Sequence, residues 1–131
     1  MDIDFFYRIL GVDSTSGKEG ELADMLSVEF AAPGRKVDLF EVGDGTKNLL
    51  VSWGTPKIVF CTHLDTVPPY IPPTPFADGL QQNEWNACTS AIYGRGTCDA
   101  KGQIFAMWEA CKALEADGYT DFGLLLLAGE E

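Results

Sequence analysis

A chain of 131 residues, 46% apolar and 22% charged, is long enough for one domain with a buried core and too apolar for disorder. Its net charge of −11 excludes a general attraction to nucleic-acid phosphates, and no apolar run reaches the roughly 18 residues of a membrane helix. The acidic start MDIDFFYRIL is unlike a signal peptide, so a cytoplasmic protein is expected.

In chain order, IDFFYRIL reads as a short first helix ended by Gly11. STSGKEGELADML reads as a cap followed by a helix. Ser14 or Ser16 can accept from the first free amides, Glu19 stands in the capping-box position after Ser16, and Leu22, Met25 and Leu26 form the apolar stripe. RKVDLFEV alternates as a strand wet on one side, and GDGTKN marks a turn. LLVSW and KIVFCT are further strands. The second is apolar and β-branched enough to predict a central strand covered on both faces.

The segment from Pro68 to Ala91 is proline-rich and aperiodic, a long loop of the kind that is functional or disordered. AIYGRGTCDAKG reads as a short strand and a glycine-rich bend entering a helix. Ile104, Met107, Trp108, Cys111 and Leu114 form the stripe of that helix, and Gly118 ends it. FGLLLLA is another buried strand before GEE. This alternation predicts an α/β sandwich around a mixed sheet, with polar residues clustered after the strand ends. Cys61, Cys88, Cys98 and Cys111 contain no C-x-x-C pair, and in a reducing compartment they are expected to be small buried apolar residues.

Three short stretches carry chemistry. In THLDTVP, His63 is the one histidine of the chain, and Asp65 lies two residues on, on the same side of an extended backbone. An imidazole there is a candidate zinc ligand with a carboxylate to fix its tautomer. The alternative is a surface-loop histidine beside an incidental acid. In GRGTCDAKG, Asp99 sits near a helix start, either as an ionised metal-bridging carboxylate or as an N-cap. In LLLLAGEE, Glu130 and Glu131 can serve one site only if the backbone turns at Gly129; otherwise they are a solvated charged loop. GVDSTSGKE fails the phosphate-loop spacing, GRGTCD lacks the third glycine of a dinucleotide fingerprint, and Cys98 as a nucleophile with His63 as base lacks a nucleophile elbow.

Taken in order, THLDTVP, IYGRGTCDAKG and LLLLAGEE resemble the co-catalytic zinc aminoacylase and carboxypeptidase family, which includes acetylornithine deacetylase and succinyl-diaminopimelate desuccinylase. STSGKEGELADML resembles the family's N-terminal helix, so the likeness spans nearly the whole chain. The resemblance implies a three-layer α/β sandwich around a mixed, mostly parallel sheet. It also implies a metal-dependent amide hydrolase acting on a small N-acyl amino acid, N-acetylornithine being the first choice.

On the same basis two divalent ions are expected. Zinc is the default, and cobalt or manganese would fit the same ligands. His63 would bind one ion, Asp99 would bridge both, and Glu131 would bind the second. Glu130 would be the general base, Asp65 the acid that orients His63, and the Asp99–Ala100 peptide is expected to be cis. Family members are longer, with two more ligands, a carboxylate and a histidine, and a lid domain that often dimerises. Residues 1–131 are therefore expected to be the N-terminal part of a catalytic domain, truncated before the lid and inactive alone. The competing expectation is a remnant of the same fold that binds a metal or partner without catalysis.

Overall fold

The computed structural model describes residues 1–75 and 91–131. Helix α1 (Ile3–Leu10) starts where the Asp2 side chain accepts the Phe5 amide and stops at Gly11, and it buries Phe5, Ile9 and Leu10. Helix α2 (Glu19–Glu29) buries Leu22, Ala23 and Leu26, with Met25 packed beside them. Strands β1 (Lys36–Gly43) and β2 (Thr46–Gly54) form a hairpin whose turn holds Asp44 and Gly45 at positive φ.

Strand β3 (Ile58–His63) follows. The two-residue strands β4 (Thr74–Pro75) and β5 (Ile92–Tyr93) pair antiparallel. Residues 76–90, most of the proline-rich segment and Cys88, lie outside the described residues. Helix α3 (Lys101–Ala116) turns its predicted stripe inward, with Ile104, Trp108 and Cys111 buried and Met107 and Leu114 packed alongside. Strand β6 (Asp121–Leu127) closes the sheet.

The sheet order is β1-β2-β6-β3. It is mixed, as expected, but two of its three pairings, β1–β2 and β2–β6, are antiparallel and only β3–β6 is parallel. A short hairpin can only reverse direction, so β1 and β2 had to pair antiparallel. The crossover through α3 is what allows β3 and β6 to run together.

Two of the three expected layers are present among the described residues. All three helices share one apolar cluster with Leu49, Val51, Trp53, Phe122, Leu124 and Leu126 on a single sheet face. The other face carries no helix among these residues. For that reason β3 departs from its prediction as a covered central strand: it is an edge strand, with Ile58 65% and Val59 46% exposed. The central strand is β6, whose residues 122–124 are buried. Cys61, on the open face, and Cys98, in the loop before α3, are exposed rather than buried. Cys111 is buried as expected, and burial pushes its thiol up to about 11.

The parallel pairing fixes the position of the site. His63 stands in register with Leu127, so the end of β3 and the residues after β6 open at the same end of the sheet. The N-terminus of α3, which follows Asp99, reaches that end too: the Thr62 hydroxyl of β3 donates to Gln103 Oε1 in the first turn of α3 at 2.9 Å.

Candidate metal centre

His63 is 8% exposed, and its ring is held at both nitrogens. Nδ1–H donates to the Asp65 carbonyl at 2.9 Å, with the Asp65 carboxylate 3.3 Å away. That bond sets the tautomer, so the Nε2 lone pair points outward. Nε2 lies 3.0 Å from Asp99 Oδ1 and 3.7 Å from Glu130 Oε2. One ligand atom from each of His63, Asp99 and Glu131 falls within 4.8 Å of the others. The chain's single histidine is thus a buried group facing three carboxylates, and the surface-loop reading does not hold.

Electrostatics follow from this crowding. Burial alone would lower the His63 pKa. The bond that a protonated Nε2–H gives to Asp99, the bond to the Asp65 carbonyl, and the charges of Asp65 and Glu130 outweigh it and raise the pKa. Asp65 is fully buried, which would raise its carboxyl pKa. The amides of Glu131 and Glu130 and the nearby imidazole reverse that and lower it. An imidazole and several carboxylates brought together this closely make a donor set suited to a divalent cation.

Asp99 precedes α3 but does not cap it: the N-cap residue is Ala100, with no side-chain cap bond, and the Asp99 side chain goes to His63 instead. The Asp99–Ala100 peptide is cis. The bend is as tight as GRGTCDAKG suggests: a Cβ on Gly102 would stand 2.1 Å from the Thr97 carbonyl oxygen, so only glycine fits there. After β6 the chain turns at Gly129, at φ +69, which is the turn that Glu130 and Glu131 need to reach one site. The groups facing the two His63 nitrogens are Asp65, Asp99 and Glu130, and Cys98 is not among them.

The predicted capping box is absent. Helix α2 begins at Glu19 after Lys18, without a side-chain cap. Residues 14–16 instead run beside residues 64–66. Ser16 N donates to Thr66 O at 3.1 Å, Thr66 N to Ser14 O at 3.0 Å, and the Ser14 hydroxyl to Leu64 O at 2.8 Å. The Ser16 hydroxyl donates to Asp65 Oδ2 at 3.3 Å, and Glu19 Oε1 accepts the Gly129 amide at 3.2 Å.

Lys101 was also missed. It is 1% exposed, its ammonium donates to Val12 O at 2.5 Å, and burial pushes its pKa down to about 8. A lysine at an inward position of an otherwise apolar stripe was the one available signal for it.

Residues 59–131, more than half of the chain, match the family described as Peptidase family M20/M25/M40. A probable carboxypeptidase of Aspergillus fumigatus is 32% identical over 146 aligned positions, covering 98% of this chain and 32% of the relative. A second probable carboxypeptidase, from Aspergillus flavus, is 41% identical over 81 residues, covering 61% of this chain and 18% of the relative. The N-acetyl-L-citrulline deacetylase of Xanthomonas campestris pv. campestris is 35% identical over 101 residues, covering 76% of this chain and 25% of the relative.

Among solved structures, the aminopeptidase PepT from Bacillus cereus superposes with a TM-score of 0.72 at 24% identity, over 98% of this chain and 36% of that one, which speaks for the fold. The chain spans about a third or less of the length of these relatives. By sequence, it belongs to the M20/M25/M40 peptidase family.

Proposed function

We propose that residues 1–131 form the N-terminal part of the catalytic domain of a metal-dependent amide hydrolase that removes the acyl group from an N-acyl amino acid. The convergence of His63 Nε2 with Asp99 and Glu131 carries this reading. His63 and Asp99 would hold one divalent ion, and Asp99 and Glu131 a second, zinc before cobalt or manganese. Such an ion, when bound, supplies Lewis acidity toward a carbonyl and acidifies water.

The chain's own residues do the rest. Asp65 takes the Nδ1 proton bond through its carbonyl and keeps the Nε2 lone pair facing the acids. Glu130, 3.7 Å from that nitrogen, accepts a proton from the attacking water and delivers it to the departing amine as the C–N bond breaks. N-acetylornithine is the first-choice substrate. The relatives' names make N-acetylcitrulline and a dipeptide the substrates to compare with it. Two protein ligands per ion fall short of the three usual in a catalytic zinc site, so the chain expressed alone is expected to be inactive.

The test is metal analysis of the protein carrying this chain, with turnover of the three substrates measured before and after chelation. Chelation is expected to abolish hydrolysis, and zinc or cobalt to restore it. Hydrolysis that survives chelation and vanishes in Cys98→Ala would sink the metal reading.

A further inference from the structure

Past the end of β6, four consecutive amides are each taken by a side-chain oxygen from elsewhere in the fold. Ala128 N donates to Asn48 Oδ1 at 2.8 Å, and Gly129 N to Glu19 Oε1 at 3.2 Å. Glu130 N donates to Asp65 Oδ1 at 3.1 Å, and Glu131 N to Asp65 Oδ2 at 2.9 Å. The backbone that carries the two site glutamates is therefore shaped by side chains rather than by a strand ladder or a helix.

Glu19 is the unexpected member of this set. It is fully buried at the first position of α2, and its second oxygen, Oε2, has no hydrogen-bond partner among the described residues. A buried acid with one unmet oxygen costs stability, and an apolar residue there would avoid the cost. Its hydrogen bond goes to the amide of Gly129, the residue whose positive φ turns the chain. Gly20 beside it admits the β1–β2 turn: a Cβ there would stand 2.1 Å from the Gly45 carbonyl oxygen, which locks the start of α2 in place.

We propose that Glu19 is a positioning residue for Glu130 and Glu131. By accepting the Gly129 amide it holds the turn that points both consecutive acids at His63 and Asp99. This rests on the metal-hydrolase reading for its consequence in activity, but the positioning itself is read without metal.

The test uses the full-length protein carrying this chain, with Glu19→Ala, Glu19→Asp and Glu19→Gln, and with the exposed first-turn acid Glu21→Ala as control. Amide exchange over residues 127–131 is followed on metal-free protein. Cobalt affinity, the cobalt absorption band, kcat and KM are measured on loaded protein. Glu19→Ala and Glu19→Asp are expected to lose amide protection at the turn. Cobalt affinity or kcat should fall about 10- to 100-fold, the range for partners that orient metal ligands, with KM little changed. Glu19→Gln keeps an acceptor oxygen and should recover to within a few-fold of wild type.

If Glu19→Ala does not fold, Glu19→Asp and Glu19→Gln carry the comparison. Unchanged protection and an unchanged cobalt band in a folded Glu19→Ala or Glu19→Asp would overturn the proposal, and so would Glu19→Gln behaving no better than the shortened side chains. A wild-type protein that takes up no cobalt would sink the metal reading instead, and the exchange arm would still decide the role of Glu19.

Discussion

The two ends of the sheet are held together by different physics. At the end where β6 begins, aromatic rings do the work. Phe30 stacks on Trp108 at 4.0 Å between centroids, and Trp53 stacks on Phe122 at 4.4 Å. The Arg35 guanidinium lies 5.0 Å from the Trp108 ring centroid and pairs with Glu115, which also accepts from the Trp53 indole. At the end where β6 stops, the contacts are directional: Asp65, Ser14, Ser16 and Glu19 exchange hydrogen bonds with residues far away in the chain, and His63 faces Asp99 across 36 positions. Apolar stacking is strong and tolerant of small shifts, whereas a hydrogen-bond mesh is weaker per contact and fixes atoms in place. One end supplies stability and the other supplies geometry, and substitutions should separate the two.

Trp108→Ala, at the aromatic end, should have the largest effect on stability. It is expected to cost about 3–5 kcal/mol in denaturant unfolding and leave metal affinity unchanged below the transition. His63→Ala should do the opposite. Metal affinity is expected to fall on the order of 100-fold, equal to about 2.8 kcal/mol of binding free energy, with a small change in melting temperature. A reversal of these two outcomes would break the contrast between the ends.

Ser14→Ala removes one buried hydrogen bond at the polar end and leaves the Leu64 carbonyl short of a donor. It is expected to cost about 1 kcal/mol by chemical denaturation. Asp13→Asn sharpens the comparison at its weakest point. The Lys18 ammonium, then the Thr15 amide, hold the Asp13 carboxyl at about 2, below its ordinary 3.8. A folded pKa below the unfolded one stabilises above pH 3.8 and is lost as pH falls toward about 2. The variant should flatten the stability curve in that window alone. The effect is small, because Lys18 is largely exposed.

Periodicity made α1, α3 and the β1–β2 hairpin legible, since each depends on neighbours a few residues away. His63, Asp99, Glu130 and Glu131 were legible as chemistry because their types and order are unusual together. The structure then brought them to one end of the sheet. Ser16 and Glu19 misled: their spacing is a local capping signal, yet partners 49 and 110 positions away in the chain took both side chains. Local rules cannot weigh such partners. The apolar run of β3 suggested a covered strand, but composition does not say which neighbours lie beside a strand, and among the described residues it has only β6.

Asp65 accepts four hydrogen bonds at once: its carbonyl from the imidazole, its two carboxylate oxygens from successive amides, and Oδ2 also from the Ser16 hydroxyl. An asparagine would fit the space but would aim an N–H at an N–H on one side. Swapping a single atom, with no change in shape, should therefore loosen the turn that carries Glu130 and Glu131 while the β3–β6 ladder beneath it stays paired.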